Sequence, residues 1–232
     1  MKSLNKSLLL VALTTCLFAV SAAPAAANTI YYALTEDHCS LPDGCGGDGH
    51  LFGAVQLEDI TGGVALTVFL ADGSKFVETG FPNGEPTSAS IAFNLIGDHA
   101  LTYTSSQSQL ALLSGDAGSL KFSGLGTFEY ALDCLICGHG GGEGAFGPLS
   151  INLFGLGLDV NDFAELSSNG HPSAYFAVDI FSGISGTSGV VGSTGTFVTV
   201  NPLTVPDGGP TMALLGSAML GLGLLQRKLG QG

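Results

Sequence analysis

Val64-Ala65-Leu66-Thr67-Val68-Phe69-Leu70, followed by Ala71-Asp72-Gly73-Ser74, is the stretch of sequence that decides the fold. From Leu66 to Leu70, side chains alternate in a way that lets a strand bury one face and leave the other partly hydrated. The residues after it include Asp72 and Gly73, types that tight turns accept at positive φ. The stretch therefore predicts a β-strand that ends in a hairpin turn.

The same combination of short apolar runs and turn residues recurs along the chain. Ile151-Asn152-Leu153-Phe154 repeats the alternation, and Phe81-Pro82-Asn83-Gly84 repeats the turn chemistry. Eleven strands are predicted, over residues 29–34, 51–57, 64–70, 76–79, 89–95, 101–104, 109–113, 126–132, 149–154, 174–180 and 196–200. With no helix long enough for a parallel crossover, this pattern indicates an all-β fold, an antiparallel β-sandwich of jelly-roll-like type. One helical turn is expected over residues 160–167, capped by Asn161 or Asp162.

The first 27 residues have the three parts of a secretory signal peptide. Lys2 and Lys6 form a basic start, residues 8–20 an apolar segment, and Ala25-Ala26-Ala27 a small-residue cleavage site. The alternative is an N-terminal membrane anchor that stays on the protein, which the short apolar segment disfavours. We therefore predict that a signal-peptide helix over residues 1–27 is removed by signal peptidase during export.

The C-terminal end has a second three-part pattern. Val205-Pro206-Asp207-Gly208-Gly209 precedes an apolar run over residues 211–225, and Arg227 and Lys228 follow it. Fifteen helical residues at about 1.5 Å each cover about 22 Å, less than a hydrocarbon core of about 30 Å, so the helix suits a transient anchor. The two basic residues would stay in the cytoplasm and stop translocation. We predict a β-sandwich cargo domain over residues 28–200, a linker with a sorting motif over 201–210, and a transmembrane helix over 211–228.

This C-terminal pattern resembles the sorting signal of the PEP-CTERM class, in its Val-Pro-Asp-Ser-Gly variant. Gly208 stands where that variant has serine, and Pro210 where serine or threonine is usual. The resemblance implies a Gram-negative bacterium that makes extracellular polysaccharide, and processing by an exosortase, a membrane cysteine transpeptidase. It further implies export across the inner membrane, transient anchoring by the C-terminus, and delivery to the cell surface or the extracellular biofilm. The cargo is similar to small glycine-rich β-domains that precede such signals, a likeness that implies no activity.

The charge of the cargo excludes one class of partner. Only Lys75 and Lys121 of the six basic residues lie outside the two terminal segments, whereas all but Asp207 of the 19 acidic residues lie between them. Binding to nucleic acid needs basic residues that neutralise phosphates, so no nucleic-acid partner is expected. No cofactor is predicted. The acidic residues leave calcium as an alternative, through the pairs Asp43 and Asp48, and Glu58 and Asp59.

Four cysteines remain after removal of the signal peptide, in two local pairs. Cys39 with Cys45 and Cys134 with Cys137 are predicted disulfides, because an even number in an exported chain favours bonding. Local bonds are the simplest of three connectivities. Zinc binding, a redox dithiol and haem attachment are the alternatives. Each lacks a feature: the first pair is too widely spaced for a usual zinc site, no helix follows the second, and Gly138 separates Cys137 from His139.

The sequence contains no local catalytic motif. His139-Gly140-Gly141-Gly142 resembles an oxyanion-hole segment of esterases, yet no Gly-x-Ser-x-Gly nucleophile accompanies it. The five histidines have no metal-ligand spacing and are interpreted as loop residues. Five carboxylates could still meet in space for glycoside hydrolysis: Asp133, Asp159, Asp162, Glu165 and Asp179.

Three functions follow from these patterns. The favoured one is an exported, non-enzymatic surface or extracellular-matrix protein that an exosortase sorts. The first alternative is a carbohydrate-binding or adhesive module with extracellular polysaccharide as its partner. The second is a secreted glycoside hydrolase.

Overall fold

The structure is a computed structural model that describes residues 27–39, 44–78, 89–105, 109–114, 120–138, 143–195 and 198–200. Residues 27–201 form one compact unit. The predicted signal peptide, the sorting motif from Val205 to Gly209, the apolar C-terminal helix, and Arg227 and Lys228 lie outside the described residues. Within the described ranges, no helix combines the length and the hydrophobicity needed to span a bilayer.

The described residues form an all-β fold built from antiparallel strands. The strands are β1 (Thr29–Leu34), β2 (Glu36–Cys39), β3 (Gly53–Ile60), β4 (Gly63–Leu70), β5 (Lys75–Phe76), β6 (Ile91–Phe93), β7 (Thr102–Ser105), β8 (Leu110–Ser114), β9 (Leu120–Phe122), β10 (Gly126–Phe128), β11 (Tyr130–Cys134), β12 (Leu149–Phe154), β13 (Phe176–Phe181), β14 (Ser188–Ser193) and β15 (Val198–Val200). Among the described residues, a 3-10 turn covers Val160–Phe163.

These strands are arranged in two large sheets and one hairpin. The first sheet has the order β15-β1-β3-β4-β12-β7. The second has the order β2-β14-β13-β6-β11-β8, and β5 pairs with one end of β13. The hairpin consists of β9 and β10. Every pairing among the described strands is antiparallel, as the hairpin-rich sequence predicts.

The alternation in residues 64–70 is confirmed. Leu66 and Val68 on β4 are fully buried, whereas Phe69 between them and the turn is 39% exposed. The turn that follows has Asp72 at φ 54° and Gly73 at φ 72°, and the Ser74 N–H donates to the Ala71 carbonyl at 2.9 Å. Two successive positive φ values give a tight turn, but the turn does not close a hairpin as predicted: β4 pairs with β3 and β12, whereas β5 after the turn pairs with β13 in the second sheet.

Both large sheets contribute to one hydrophobic core. Buried residues of β1, β3, β4 and β12 in the first sheet belong to the same cluster as buried residues of β6, β11 and β13 in the second. Aromatic rings pack against one another in this core. The ring centroids of Tyr32 on β1 and Phe176 on β13 are 4.9 Å apart, and those of Phe93 and Phe163 are 5.3 Å apart. Burial of this apolar surface provides the main driving force for folding.

A second, smaller core lies under the hairpin. Phe122 and Phe128 on β9 and β10 pack with Leu125 against alanines of the second sheet, Ala92, Ala131 and Ala177. These alanines alternate with the large residues that face the main core, as in Phe176-Ala177-Val178 on β13. Small side chains on this face leave room for the hairpin, so the second sheet is buried on both sides.

Several predicted elements were wrong in detail. Residues 126–132 were predicted as one strand but form two: β10 pairs in the hairpin, and β11 pairs in the second sheet. Three strands were missed, namely β2, β9 and β14. The helical segment is shorter than predicted and its cap is Asp159, whose carboxylate accepts the Asn161 N–H, while Asp162 fills the third position of the capping box.

Candidate functional site

The loop after β2 is organised by one carboxylate. Asp37 Oδ2 accepts the backbone N–H groups of Cys45, Gly46 and Gly47 at 2.7, 3.0 and 2.7 Å, and Oδ1 accepts that of Cys39 at 3.0 Å. Successive N–H groups that converge on one anion form a nest, which is a stable arrangement for negative charge. Gly44 and Gly46 have φ 56° and 159°, so the loop needs residues with no Cβ penalty.

The same loop is closed by a disulfide and attached to the second sheet. Cys39 and Cys45 are bonded, as predicted. Ser182 Oγ donates to the Cys45 carbonyl at 2.6 Å, and Thr187 Oγ1 donates to the Gly44 carbonyl at 3.0 Å. Because Ser182 is fully buried, its hydroxyl needs this partner. Residues 44–47 of this loop are therefore attached firmly to the rest of the fold.

An acidic side chain also lies beside the second disulfide. Cys134 and Cys137 are bonded, which confirms local pairing for both predicted disulfides. Glu78, only 4% exposed, accepts the Cys134 N–H through Oε1 at 2.6 Å, and Ser90 Oγ donates to the same oxygen at 3.4 Å. At both bridges, an acidic side chain accepts the N–H of a bonded cysteine.

The disulfides and the hydrogen bonds of nearby carboxylates bear on the zinc and calcium alternatives. Within the described part of the chain, the one group with the spacing of metal ligands is Asp37, Cys39 and Cys45. Its two sulfurs are joined to each other, and its carboxylate already accepts four N–H groups, so this group does not fit zinc. Of the acidic residues considered for calcium, Asp48 accepts the Asp37 N–H and Asp59 accepts the Val160 N–H, while Asp43 lies outside the described residues.

A cleft of about 490 Å³ lies between the hairpin, strand β2 and the segment after the 3-10 turn. Small-molecule sites commonly occupy about 300–1,000 Å³. Six side chains line the cleft: His38, Lys121, Phe122, Thr127, Asn169 and His171. Two glycines, Gly124 and Gly126, complete its wall.

Backbone hydrogen bonds fix the walls of the cleft. Thr127 on β10 exchanges two backbone bonds with Ser168, at 2.7 and 3.1 Å, and its hydroxyl lies 2.7 Å from the Ser168 hydroxyl. The His171 N–H donates to the Gly124 carbonyl at 3.0 Å. Behind this wall, the buried Ser167 hydroxyl donates to the Leu125 carbonyl and accepts the Ala174 N–H. Because its walls are fixed, the cleft exists before any ligand binds.

Gly124 brings the hairpin turn close to the edge of the second sheet. It has φ 77°, and a Cβ atom there would lie 2.1 Å from Nδ1 of His38. Only glycine combines this backbone conformation with such a close approach. The absence of a side chain at residue 124 therefore keeps the His38 imidazole at the rim of the cleft.

The charge of the cleft differs from that of the chain around it. Its described lining contains one lysine and two histidines and no carboxylate, whereas the chain carries a formal net charge of −13. Lys121 is one of only two lysines outside the terminal segments. The other, Lys75, lies over the Phe146 ring, 5.0 Å from its centroid. The cleft is thus a place where an acidic surface presents basic side chains.

The carboxylates considered for glycoside hydrolysis do not form one group around the cleft. Asp159 and Asp162 cap the 3-10 turn. Asp133 lies on β11 and the buried Asp179 on β13, the two strands on either side of β6. Glu165 lies after the 3-10 turn, near enough to Glu129 to raise the pKa of that carboxyl, although partial burial of Glu129 is the larger cause.

The cleft was missed by the sequence reasoning. His38, Lys121 and His171 come from three distant parts of the chain, and no local motif joins them. His38, which the sequence predicts in a loop, lies on strand β2, which the sequence does not predict. The scarcity of lysine was the available signal, because it marks Lys121 as unusual. His139 and the glycines after it lie outside the described residues.

Comparison of the chain with protein-family models, with curated proteins and with solved structures finds no match.

Proposed function

We propose that this chain is an exported, non-enzymatic surface or extracellular-matrix protein that an exosortase sorts by its C-terminus. The observation that supports export is the pair of local disulfides, since such bonds persist in oxidising compartments and are rare in the cytosol. The signal-peptide pattern over residues 1–27 is independent support. Sorting itself rests on the order of motif, apolar run and basic end over residues 205–228.

The fold fits this role. Two antiparallel sheets that share one core, with short strands and many turns, support a β-sandwich of jelly-roll-like type for the cargo. The strong acidity supports a domain that stays soluble by self-repulsion after release from the membrane. None of these features requires a catalytic site.

A second candidate function is supported by the cleft. A preformed concavity with hydroxyl, amide and basic groups suits a carbohydrate ligand, so the alternative of a carbohydrate-binding module has a specific place in the fold. For the second alternative, a glycoside hydrolase, the capping roles of Asp159 and Asp162 provide no support.

The sorting proposal is tested by following the full chain in cells that have or lack the exosortase. We expect the protein to leave the membrane fraction only where the enzyme is present. A Pro206→Ala/Asp207→Ala variant should stay in the membrane fraction, whereas an Asn201→Ala control, which changes the linker outside the motif, should be released like the parent. Equal release in both strains would overturn the proposal.

A further inference from the structure

We infer that the cleft between β2, the β9–β10 hairpin and the segment around Asn169 binds a sugar acid, that is, a sugar unit that carries a carboxylate. The inference gives a ligand class to the carbohydrate-binding candidate and rests on it. It is independent of the sorting signal, because each residue that carries it lies between residues 38 and 171.

The first step concerns the charge of the ligand. Lys121, His38 and His171 line the cleft, and no carboxylate is present among its described lining residues. Repulsion from the many acidic residues elsewhere keeps anions away from most of this chain. A concave site with basic side chains on such a surface is therefore where a single anionic group gains most from binding.

The second step concerns size. A cleft of about 490 Å³ is large for an inorganic anion alone and falls within the range of organic ligands. Phe122, which is only 4% exposed, also lines the cleft, with a ring that packs edge-on against Phe128 at 5.7 Å between centroids. The ligand thus needs a carbon framework beside its charged group.

The third step concerns hydrogen bonding. Thr127 and Asn169 bring a hydroxyl and an amide to the same cleft. The Asn169 amide can donate and accept, and the Thr127 hydroxyl, which already bonds the Ser168 carbonyl and hydroxyl, can still accept one hydrogen bond, which suits the hydroxyl groups of a sugar. Asn169 has φ 59°, a conformation that asparagine tolerates better than most residues, so its position is set by the backbone of this segment.

The geometry assigns separate roles to these groups. Lys121 pairs with Thr127 across the hairpin, so the ammonium and the hydroxyl come from neighbouring positions of one two-stranded unit. The imidazoles come from the other two walls, His38 from β2 and His171 from the segment held by Gly124. The carboxylate is expected near Lys121, with the sugar ring extending toward Asn169.

The test is a titration of the exported protein, labelled with ¹⁵N, with D-glucuronate, D-glucose and acetate, followed by amide chemical shifts. We expect glucuronate to shift the resonances of residues 38, 121–127 and 168–171. Glucose lacks the carboxylate and acetate lacks the ring, so each should bind at least about tenfold more weakly. A polyuronate with higher affinity per sugar unit would identify an internal unit of a polymer as the ligand, and equal affinity would identify a free sugar acid.

Matched variants make the test specific. Lys121→Gln should weaken glucuronate binding at least about tenfold, whereas Lys75→Gln removes the same charge elsewhere and should leave it unchanged. Because both lysines are at least partly accessible, near-ultraviolet circular dichroism should show both variants folded. Binding of glucose as tight as that of glucuronate, equal effects of the two variants, or no shifts in the cleft would overturn the inference. Processing of the C-terminus would be unaffected by any of these results.

Discussion

The carboxylate of Asp37 accepts the backbone N–H of Cys45 at 2.7 Å, inside the loop that the Cys39–Cys45 disulfide closes. The Asp37 side chain on strand β2 thus accepts a hydrogen bond from Cys45, at the opposite end of the loop. The covalent bond and the carboxylate act on the same segment, and the two glycines after Cys45 donate to the same oxygen. The conformation of residues 45–47 therefore depends on an acidic residue as well as on the disulfide.

Replacing Asp37 by alanine should destabilise the protein by about 2–4 kcal/mol, because hydrogen bonds to a charged acceptor contribute about 1.5–3 kcal/mol each and water can replace some of them. The measurement is urea unfolding of the oxidised protein. Asp98→Ala removes an exposed carboxylate and should change the free energy of unfolding by less than about 0.5 kcal/mol. Equal stabilities for the two variants would contradict the role of Asp37.

The two disulfides should make similar contributions to stability. Their sequence separations are 6 and 3 residues, and such short loops restrict the unfolded chain by about 2 kcal/mol each in the chain-entropy account. Double serine variants of each pair, compared by thermal and urea unfolding, test this expectation. A protein whose stability is unchanged by reduction would show that neither bond constrains the unfolded state.

Leu66→Ala should cost about 2–5 kcal/mol because Leu66 is fully buried between the sheets. Leu156 is fully exposed, so Leu156→Ala makes the same chemical change and should cost less than about 0.5 kcal/mol. Chemical denaturation of both variants measures the difference. Similar losses would mean that the face of β4 assigned to the core is wrong.

Stability should fall above about pH 10, partly through Tyr32. Burial, and to a lesser extent Tyr175, raises the pKa of Tyr32 above its ordinary value. The folded state then holds a proton that the unfolded state releases, so stability present below about pH 10 is lost as pH rises, by at most about 1.4 kcal/mol per pH unit for one group. Tyr32→Phe should decline less steeply than the parent in urea unfolding between pH 9 and 11. Tyr103→Phe, at a 43% exposed site, should follow the parent. Identical slopes in all three proteins would contradict this contribution.

Local patterns allowed the fold class to be predicted. The alternation at Leu66 and Val68 and the turn at Asp72 and Gly73 depend on neighbours in sequence, so residue types alone indicated them. Strand β14 contains serines and glycines and has low intrinsic β-propensity, and β2 is a polar edge strand; both form because of the strands they pair with. Such pairing is set by tertiary structure, which local sequence does not encode.

The cleft and the Asp37 nest could not be predicted for the same reason. The groups that Asp37 accepts are backbone N–H groups, which carry no sequence signature beyond Gly46 and Gly47. His38 and His171 come near the hairpin only because Gly124 and Gly126 allow a close approach. The disulfides are easier to predict from the sequence, since each cysteine pair is local and its chemistry is limited to a few alternatives.

Intact-mass measurement of the exported protein, with and without reduction, tests the central proposal most directly. We predict that the protein from cells with the exosortase begins at Asn28 and lacks the apolar helix and the basic end at Arg227 and Lys228. Reduction should add two hydrogens for each of the two disulfides. A protein that keeps its C-terminus through Gly232 in cells with the enzyme would contradict the account.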